Sequence, residues 1–177
     1  NAAVAVFIYG LVPEFLLRFL AWGLIHLFYR VQKRGVEGIP HEGAALIVCN
    51  HVSFIDPVIL MAVSPRPIRF VMDHRIFRTP LISFIFRHTR AIPIAPAKED
   101  AAMMERAFDE VSAALREGEL VGIFPEGRIT DSGELYPFRP GVTRILERDP
   151  VPVIPLALQG LWGSFFSRKD GPAMSKP

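Results

Sequence analysis

Two short stretches of the chain hold residue types that can move a proton or hold an anion. The first is Asn50-His51-Val52-Ser53-Phe54-Ile55-Asp56-Pro57. Along a strand, His51 and Asp56 would stand roughly 16 Å apart. On a helix, neighbours are three or four residues apart, not five. Only a turn brings the imidazole and the carboxylate together. Asp56 before Pro57 reads as an N-cap with proline at the first helical position. A carboxylate fixed there can accept a hydrogen bond from one imidazole nitrogen and leave the other basic, the base-plus-orienter half of a catalytic triad. Local physics alone favours a plainer reading, a capping Asp and an unrelated surface His.

The second stretch is Phe124-Pro125-Glu126-Gly127-Arg128. Gly127 can let the backbone turn sharply or approach a ligand. Arg128 offers a planar fork of donors suited to a phosphate. Glu126 can bond a substrate hydroxyl or hold a neighbouring donor. Taken alone, this is an ordinary strand-to-loop turn with surface charges. Two side chains near His51 are possible nucleophiles. Cys49 lies two residues before it, so a strand would put both on one face, and a Cys–His pair can form a covalent intermediate. Free cysteines in strands are usually small buried hydrophobes, however. Ser53 is expected to bond the turn backbone rather than react. No His/Cys/Asp spacing for a metal ion is visible.

Short apolar runs and helical patterns alternate around these stretches. Ala44 to Cys49, Arg69 to Met72, Ala91 to Ala95, Leu120 to Phe124 and Val153 to Leu158 read as buried strands. Glu99 to Arg116 reads as a helix, with Met104, Ala107, Phe108, Val111 and Leu115 at helical spacing and Gly118 to close it. Pro57 to Val63, Pro80 to Phe86 and Gly141 to Glu147 read as shorter helices. The alternation predicts an α/β fold, a mostly parallel or mixed sheet flanked by helices. In such sheets ligands gather at the carboxyl ends of strands, where both stretches lie.

Half of the 177 residues are hydrophobic and 21% are charged, a globular composition without the signature of disorder. A net charge of +2 is too small to argue for nucleic acid. A single cysteine excludes an intrachain disulfide. Residues 1–33 read as an apolar helical membrane-contact segment, and 34–177 as the catalytic domain. Glu14 and Arg18 interrupt what would otherwise be a membrane span. Phe15, Leu16, Phe19, Leu20 and Trp22, followed by Arg30, Lys33 and Arg34, suit helices lying in a bilayer interface. The competing reading packs this segment on the domain's own core. The start at Asn1 and the stop after Lys176-Pro177 read as the ends of a piece excised from a longer chain. From His74 to Lys98 there are four arginines, one lysine, two histidines and no acid. That stretch reads as a basic face for an anionic membrane, an entrance for lipid head groups, or simply a solvated surface.

The two stretches together change the reading. An H-x-x-x-x-D motif at one strand end, followed about seventy residues later by F-P-E-G-R, resembles the glycerolipid acyltransferase family, lysophosphatidate acyltransferases included. The resemblance runs from about Arg34 to Ser167. Asn50, His51, Ser53 and Asp56 fall in its first block and Phe124 to Arg128, with Pro125, in its third. Val151-Pro152-Val153-Ile154-Pro155 looks like the fourth. His74-Arg75 to Ala91-Ile92-Pro93-Ile94 resembles the second, but Arg75 stands where lysine is frequent and Arg87-His88 where glycine is frequent. Ala91 to Asp100 and Gly160 to Phe166 look like segments of bacterial fusion proteins that reacylate lysophosphatidylethanolamine and join this domain to an acyl-activating domain or a lysophospholipid transporter.

The resemblance implies transfer of a fatty acyl group from an acyl-carrier-protein or CoA thioester to the free hydroxyl of a lysophospholipid, lysophosphatidylethanolamine or lysophosphatidate. It implies no cofactor beyond that co-substrate. His51 would be the general base and Asp56 its orienting partner. Arg128, then Arg75, then Arg139 are the candidates for the acceptor phosphate, with Glu126 and Gly127 beside them. The expected partners are the lysophospholipid, the thioester, a membrane surface and a fused acyl-activating or transporter domain. The expected place is the cytoplasmic face of a bacterial inner membrane. The alternatives are a catalytically silent lipid-binding module and a phospholipid transacylase.

Overall fold

The computed structural model describes residues 16–78, 80–169 and 171. The expectations for Ala2 to Pro13, Glu14, Phe15, Lys176 and Pro177 lie outside the described residues. Helix α1 is described over 16–28. After it come β1 (Ala45–Cys49), α2 (Asp56–Val63), β2 (Ile68–Asp73), α3 (Pro80–His88) and β3 (Ile92–Ile94). The chain continues through α4 (Ala97–Arg116), β4 (Leu120–Ile123), α5 (Gly141–Arg148) and β5 (Val153–Leu156). The five strands and the four helices expected after Ala44 are present, with ends within two residues of the expected ones.

The five strands form one sheet in the order β3-β2-β4-β1-β5. Every pairing in it is parallel, so of the mostly parallel and mixed sheets expected the parallel one is found. The two-residue period of a strand divides the core. Ala45, Ile47 and Cys49 of β1 face one layer with Leu60 and Met61 of α2 and Phe70 of β2. Leu46, one step out of phase, faces the other layer with Ala107, Phe108, Val111 and Leu115 of α4 and Ile145 of α5. Both edge strands carry a proline, Pro93 in β3 and Pro155 in β5, where a missing N–H costs the sheet least.

This topology dictates where a ligand site can form. From β1 the chain crosses by α2 on one face to β2, passing over β4. From β4 it crosses by α5 on the opposite face to β5, passing over β1. Right-handed crossovers require opposite faces for opposite directions. The neighbouring strands β1 and β4 therefore send their following loops apart, which opens a crevice at their carboxyl ends.

Helix α4 is not regular from Glu99. Asp100 is extended (φ −153°, ψ 94°), and its Oδ1 accepts the Met103 N–H at 2.8 Å, so Asp100 caps the body of the helix. Helix α1 packs one face on the domain's own core, as the competing reading has it. Ile25 is fully buried against Val52, Ile55, Ile59 and Leu161, and Arg18 donates to the Ser64 carbonyl at 2.9 Å. The remaining apolar face stays in the open, with Phe19, Trp22, Leu27 and Phe28 exposed. Among the described residues no helix is long and apolar enough to cross a membrane.

Candidate active site

The loop after β1 folds His51 and Asp56 together. His51 Nδ1 and Asp56 Oδ2 stand 2.8 Å apart. A carboxylate oxygen can only accept, so Nδ1 carries a proton, and in the neutral imidazole the lone pair is on Nε2. The same Oδ2 accepts the backbone N–H of Val52 at 2.7 Å and of Ser53 at 2.9 Å. Asp56 is fully buried and His51 retains 17% of its side-chain surface. One end of the pair is thus locked and the other is reachable. Asp56 is not the N-cap expected from the sequence. Ile55 occupies that position, with no side-chain cap, and Asp56 is the first helical residue. Its carboxylate reaches back to the turn that carries His51, where the positive end of α2 also favours a negative charge.

His51 is held at four points, two on its ring and two on its backbone. Its ring lies flat on Phe124, centroids 4.1 Å apart and planes 16° apart. Phe124 stacks in turn on Phe70 at 5.8 Å. The His51 backbone N–H donates to Glu126 Oε1 at 2.8 Å, and its carbonyl accepts the Thr130 N–H at 2.9 Å. These contacts join the loop after β1 to the loop after β4 across the crevice. Gly122 makes the stack possible. It pairs with Phe70 across β2 and β4, and a Cβ on it would stand 2.6 Å from the Phe70 ring.

Glu126 is buried and both its oxygens are used. Oε1 takes the His51 N–H, and Oε2 takes the Tyr136 N–H at 2.9 Å. Of the two roles offered for it, the geometry is that of holding neighbouring donors. Arg128 lies over the Tyr136 ring, 3.8 Å from its centroid, and 4.0 Å from Asp131. The Tyr136 hydroxyl donates to Asp131. Gly127 has φ 65°, a conformation that suits glycine. A Cβ there would stand 2.7 Å from Arg139 Nε, so the Arg139 side chain crosses Gly127. The Arg139 N–H closes the loop on the Pro125 carbonyl at 2.8 Å. Arg128 and Arg139 are therefore grouped around one glycine. Arg75 makes a two-point ion pair with Asp73 instead, 2.9 and 2.6 Å.

The remaining candidates have structural partners. Asn50 donates to the Leu158 carbonyl at 3.0 Å and accepts its N–H at 2.7 Å, tying the loop after β1 to the chain leaving β5. Ser53 is buried, and its Oγ accepts the Ile55 N–H at 3.4 Å, in keeping with the turn role expected. Burial, and then the Asp56 charge, push the Cys49 thiol up to about 12. A thiol so rarely ionised is a poor nucleophile. The basic stretch is partly neutralised from outside. Arg90 pairs with Glu119 and Glu117, and His74 Nε2 lies 3.3 Å from Glu99. With Arg69, Arg87 and Phe77, Arg90 and His74 line an open cleft of about 500 Å³. Among the described residues no three His, Cys, Asp or Glu are grouped to hold a metal ion.

Sequence reasoning overlooked Phe70, Gly122, Thr130 and Tyr136. A glycine inside a strand signals a close approach, so Gly122 was legible in principle. Phe70 and Tyr136 become visible only when register and loop closure are known.

Residues 30–159 match the family model described as Acyltransferase. The chain belongs to the Acyltransferase family. Relatives in this family include a chloroplastic 1-acyl-sn-glycerol-3-phosphate acyltransferase of Brassica napus, 28% identical over 77% of this chain and 39% of its own length. The 1-acyl-sn-glycerol-3-phosphate acyltransferase of Bacillus subtilis is 26% identical over 70% of this chain and 60% of its own. The chain thus spans only part of these curated relatives. The crystal structure of the 1-acyl-sn-glycerophosphate acyltransferase PlsC from Thermotoga maritima shares the fold, with a TM-score of 0.62 and 22% identity over 73% of this chain and 50% of that one.

Proposed function

We propose that this acyltransferase domain moves a fatty acyl group from a thioester to the free hydroxyl of a lysophospholipid, with lysophosphatidate as the acceptor. The observation that carries the reading is the 2.8 Å contact of His51 Nδ1 with buried Asp56 Oδ2. An alcohol is a poor nucleophile at neutral pH, so a base must take its proton during attack. His51 Nε2 takes the acceptor hydroxyl proton while that oxygen bonds to the thioester carbonyl carbon. The tetrahedral intermediate collapses, the carbon–sulfur bond breaks, and the proton on Nε2 passes to the departing thiolate. The products are the diacylated lipid and a free thiol, and the histidine is restored. Attack is direct, with no acyl group on Cys49 or Ser53.

The acceptor class is supported by the names of the relatives, and the phosphate by Arg128 and Arg139 beside Gly127. The donor is CoA or acyl carrier protein, either of which presents the same thioester. The exposed face of α1, followed by Arg30, Lys33 and Arg34, supports docking on a membrane surface. That surface is the cytoplasmic face of a bacterial inner membrane, where soluble thioesters meet bilayer-held acceptors. Purified protein incubated with CoA and acyl-carrier-protein thioesters against a panel of lysophospholipids tests the proposal. Transfer to lysophosphatidate is expected. Preference for lysophosphatidylethanolamine would revise the acceptor. Binding without turnover of any acceptor would instead match a silent lipid-binding module.

A further inference from the structure

Asp131 is the acid of an otherwise cationic corner. Its Oδ1 accepts the Tyr136 hydroxyl, and its Oδ2 stands 4.0 Å from Arg128 Nη2. The Tyr136 hydroxyl first, then Arg128 and Arg168, hold the Asp131 carboxyl below the usual carboxylate range. Arg139 completes the corner, since its side chain crosses Gly127, the residue before Arg128. Glu134, the other acid of this loop, is tied to Thr130 and Ser132 through its backbone and not its side chain.

Two loops bring the cations together. Arg128 and Arg139 follow β4, and Arg168 follows β5. Arg168 comes directly after Ser167, which bridges Ser53 in the loop that carries His51. Asp131 comes directly after Thr130, whose N–H donates to the His51 carbonyl at 2.9 Å. The corner is thus fastened to the loop of the base from two directions. In lysophosphatidate the phosphate and the free hydroxyl sit on neighbouring carbons of one glycerol, so a corner this close to the base is where the phosphate must fall.

The contacts on Asp131 are those of a bound anion. A phenol and a guanidinium are donors that a phosphate takes, and a carboxylate can take them in its place. Three arginines less one carboxylate leave two positive charges over. A phosphate monoester carries about −1.5 to −2 at neutral pH. Stability gives no reason for the arrangement. Arg128 and Asp131 are both more than half exposed, and exposed ion pairs add little to folding.

We propose that Asp131 is an internal stand-in for the acceptor's phosphate and sets how tightly that phosphate is held. This rests on the reading of the site as one that takes a phosphate-bearing acceptor. Before the acceptor arrives, Asp131 keeps Arg128 and the Tyr136 hydroxyl in position. The incoming phosphate, with more charge and more acceptor oxygens, takes over these donors and turns the carboxylate out to solvent. Two anions on the same donors repel each other, so the exchange weakens the hold on the phosphate. The diacylated product keeps that phosphate, and the returning carboxylate helps it to leave.

Nuclear magnetic resonance titration of the full chain with glycerol 3-phosphate reads the exchange without acyl transfer, with glycerol as the uncharged control. Asp131→Asn and Asp131→Ala should keep their melting temperature. Each should bind glycerol 3-phosphate roughly fivefold more tightly than the unmodified protein, the effect of removing one like charge at about 4 Å in water. Asp131→Glu should restore the weaker binding, and Arg128→Ala added to Asp131→Asn should abolish the gain. Glycerol should not distinguish the variants. With lysophosphatidate, Asp131→Asn should show a lower acceptor KM and stronger inhibition by the diacylated product. Equal or weaker binding of glycerol 3-phosphate by folded Asp131→Asn would overturn the proposal. So would a gain of the same size without Arg128. Tighter binding by Asp131→Asn in a protein that never acylates lysophosphatidate would strike the acyltransfer reading and leave the stand-in in place.

Discussion

Glu126 couples His51 to Tyr136. One carboxylate oxygen accepts the His51 backbone N–H at 2.8 Å and the other the Tyr136 N–H at 2.9 Å, from a buried position between the two loops. The proposed base and the ring under Arg128 are thus set by one side chain. In Glu126→Gln an amide NH₂ must face one of the two N–H groups. A buried donor left without an acceptor costs about 1–3 kcal/mol. The variant should melt lower and lose kcat, with a weaker acceptor KM as well. A carboxylate that served only to bind a substrate hydroxyl would leave the melting temperature unchanged, and thermal melting beside steady-state kinetics separates the two.

Gly122 should be intolerant of even one methyl. A Cβ there stands 2.6 Å from the Phe70 ring, which is buried and pressed on Phe124 beneath His51. Phe124 is buried as well. Overpacking of this kind costs about 1–3 kcal/mol. Gly122→Ala is expected to lower the melting temperature by several degrees and to lower kcat through displacement of Phe124. Full activity in a variant with unchanged melting would show that the stack does not position the imidazole.

Cys49→Ala should retain most acyl transfer, because the thiol is buried, raised to about 12 and not needed for direct attack. The native thiol should also resist alkylation at pH 8 unless the protein is unfolded. Mass spectrometry of intact protein during turnover checks both statements. An acyl adduct on Cys49 or Ser53 would refute direct attack.

Arg128→Ala should weaken use of a phosphate-bearing acceptor with little effect on the thioester KM. The guanidinium is exposed on the Tyr136 ring, beside Gly127 and Arg139. A hydrogen bond to a charged group is worth roughly 1.5–3 kcal/mol, which is about tenfold or more in acceptor kcat/KM. Arg75→Ala should matter less, since its charge is already matched by Asp73. The reverse order of the two effects would move the phosphate to the loop after β2.

The order of strands and helices was legible because period-2 runs and the α4 stripe are local patterns. The approach of His51 to Asp56 was legible as a possibility, since five residues around a turn permit it. Its mechanics were not. Asp56 resembles a cap in sequence, yet it accepts from Val52 and Ser53 upstream, and only the path of the turn decides that. The use of Glu126 was hidden for the same reason. Its two partners lie 75 and 10 residues away, in loops whose meeting depends on β1 and β4 being neighbours. For α1, hydrophobicity alone could not divide the helix into a face that packs on Val52 and Ile55 and a face left open.

A histidine oriented by Asp56 that takes the proton from the acceptor hydroxyl should be indispensable to turnover. The direct measurement is the rate of acyl transfer to lysophosphatidate by His51→Ala, alongside circular dichroism and melting of the same preparation. Loss of a general base costs about 10²–10⁴-fold. A fall of that size in kcat is expected in a protein that remains folded, because the His51 side chain is partly exposed and lies outside the strands. Turnover within a few-fold of the unmodified protein would contradict it.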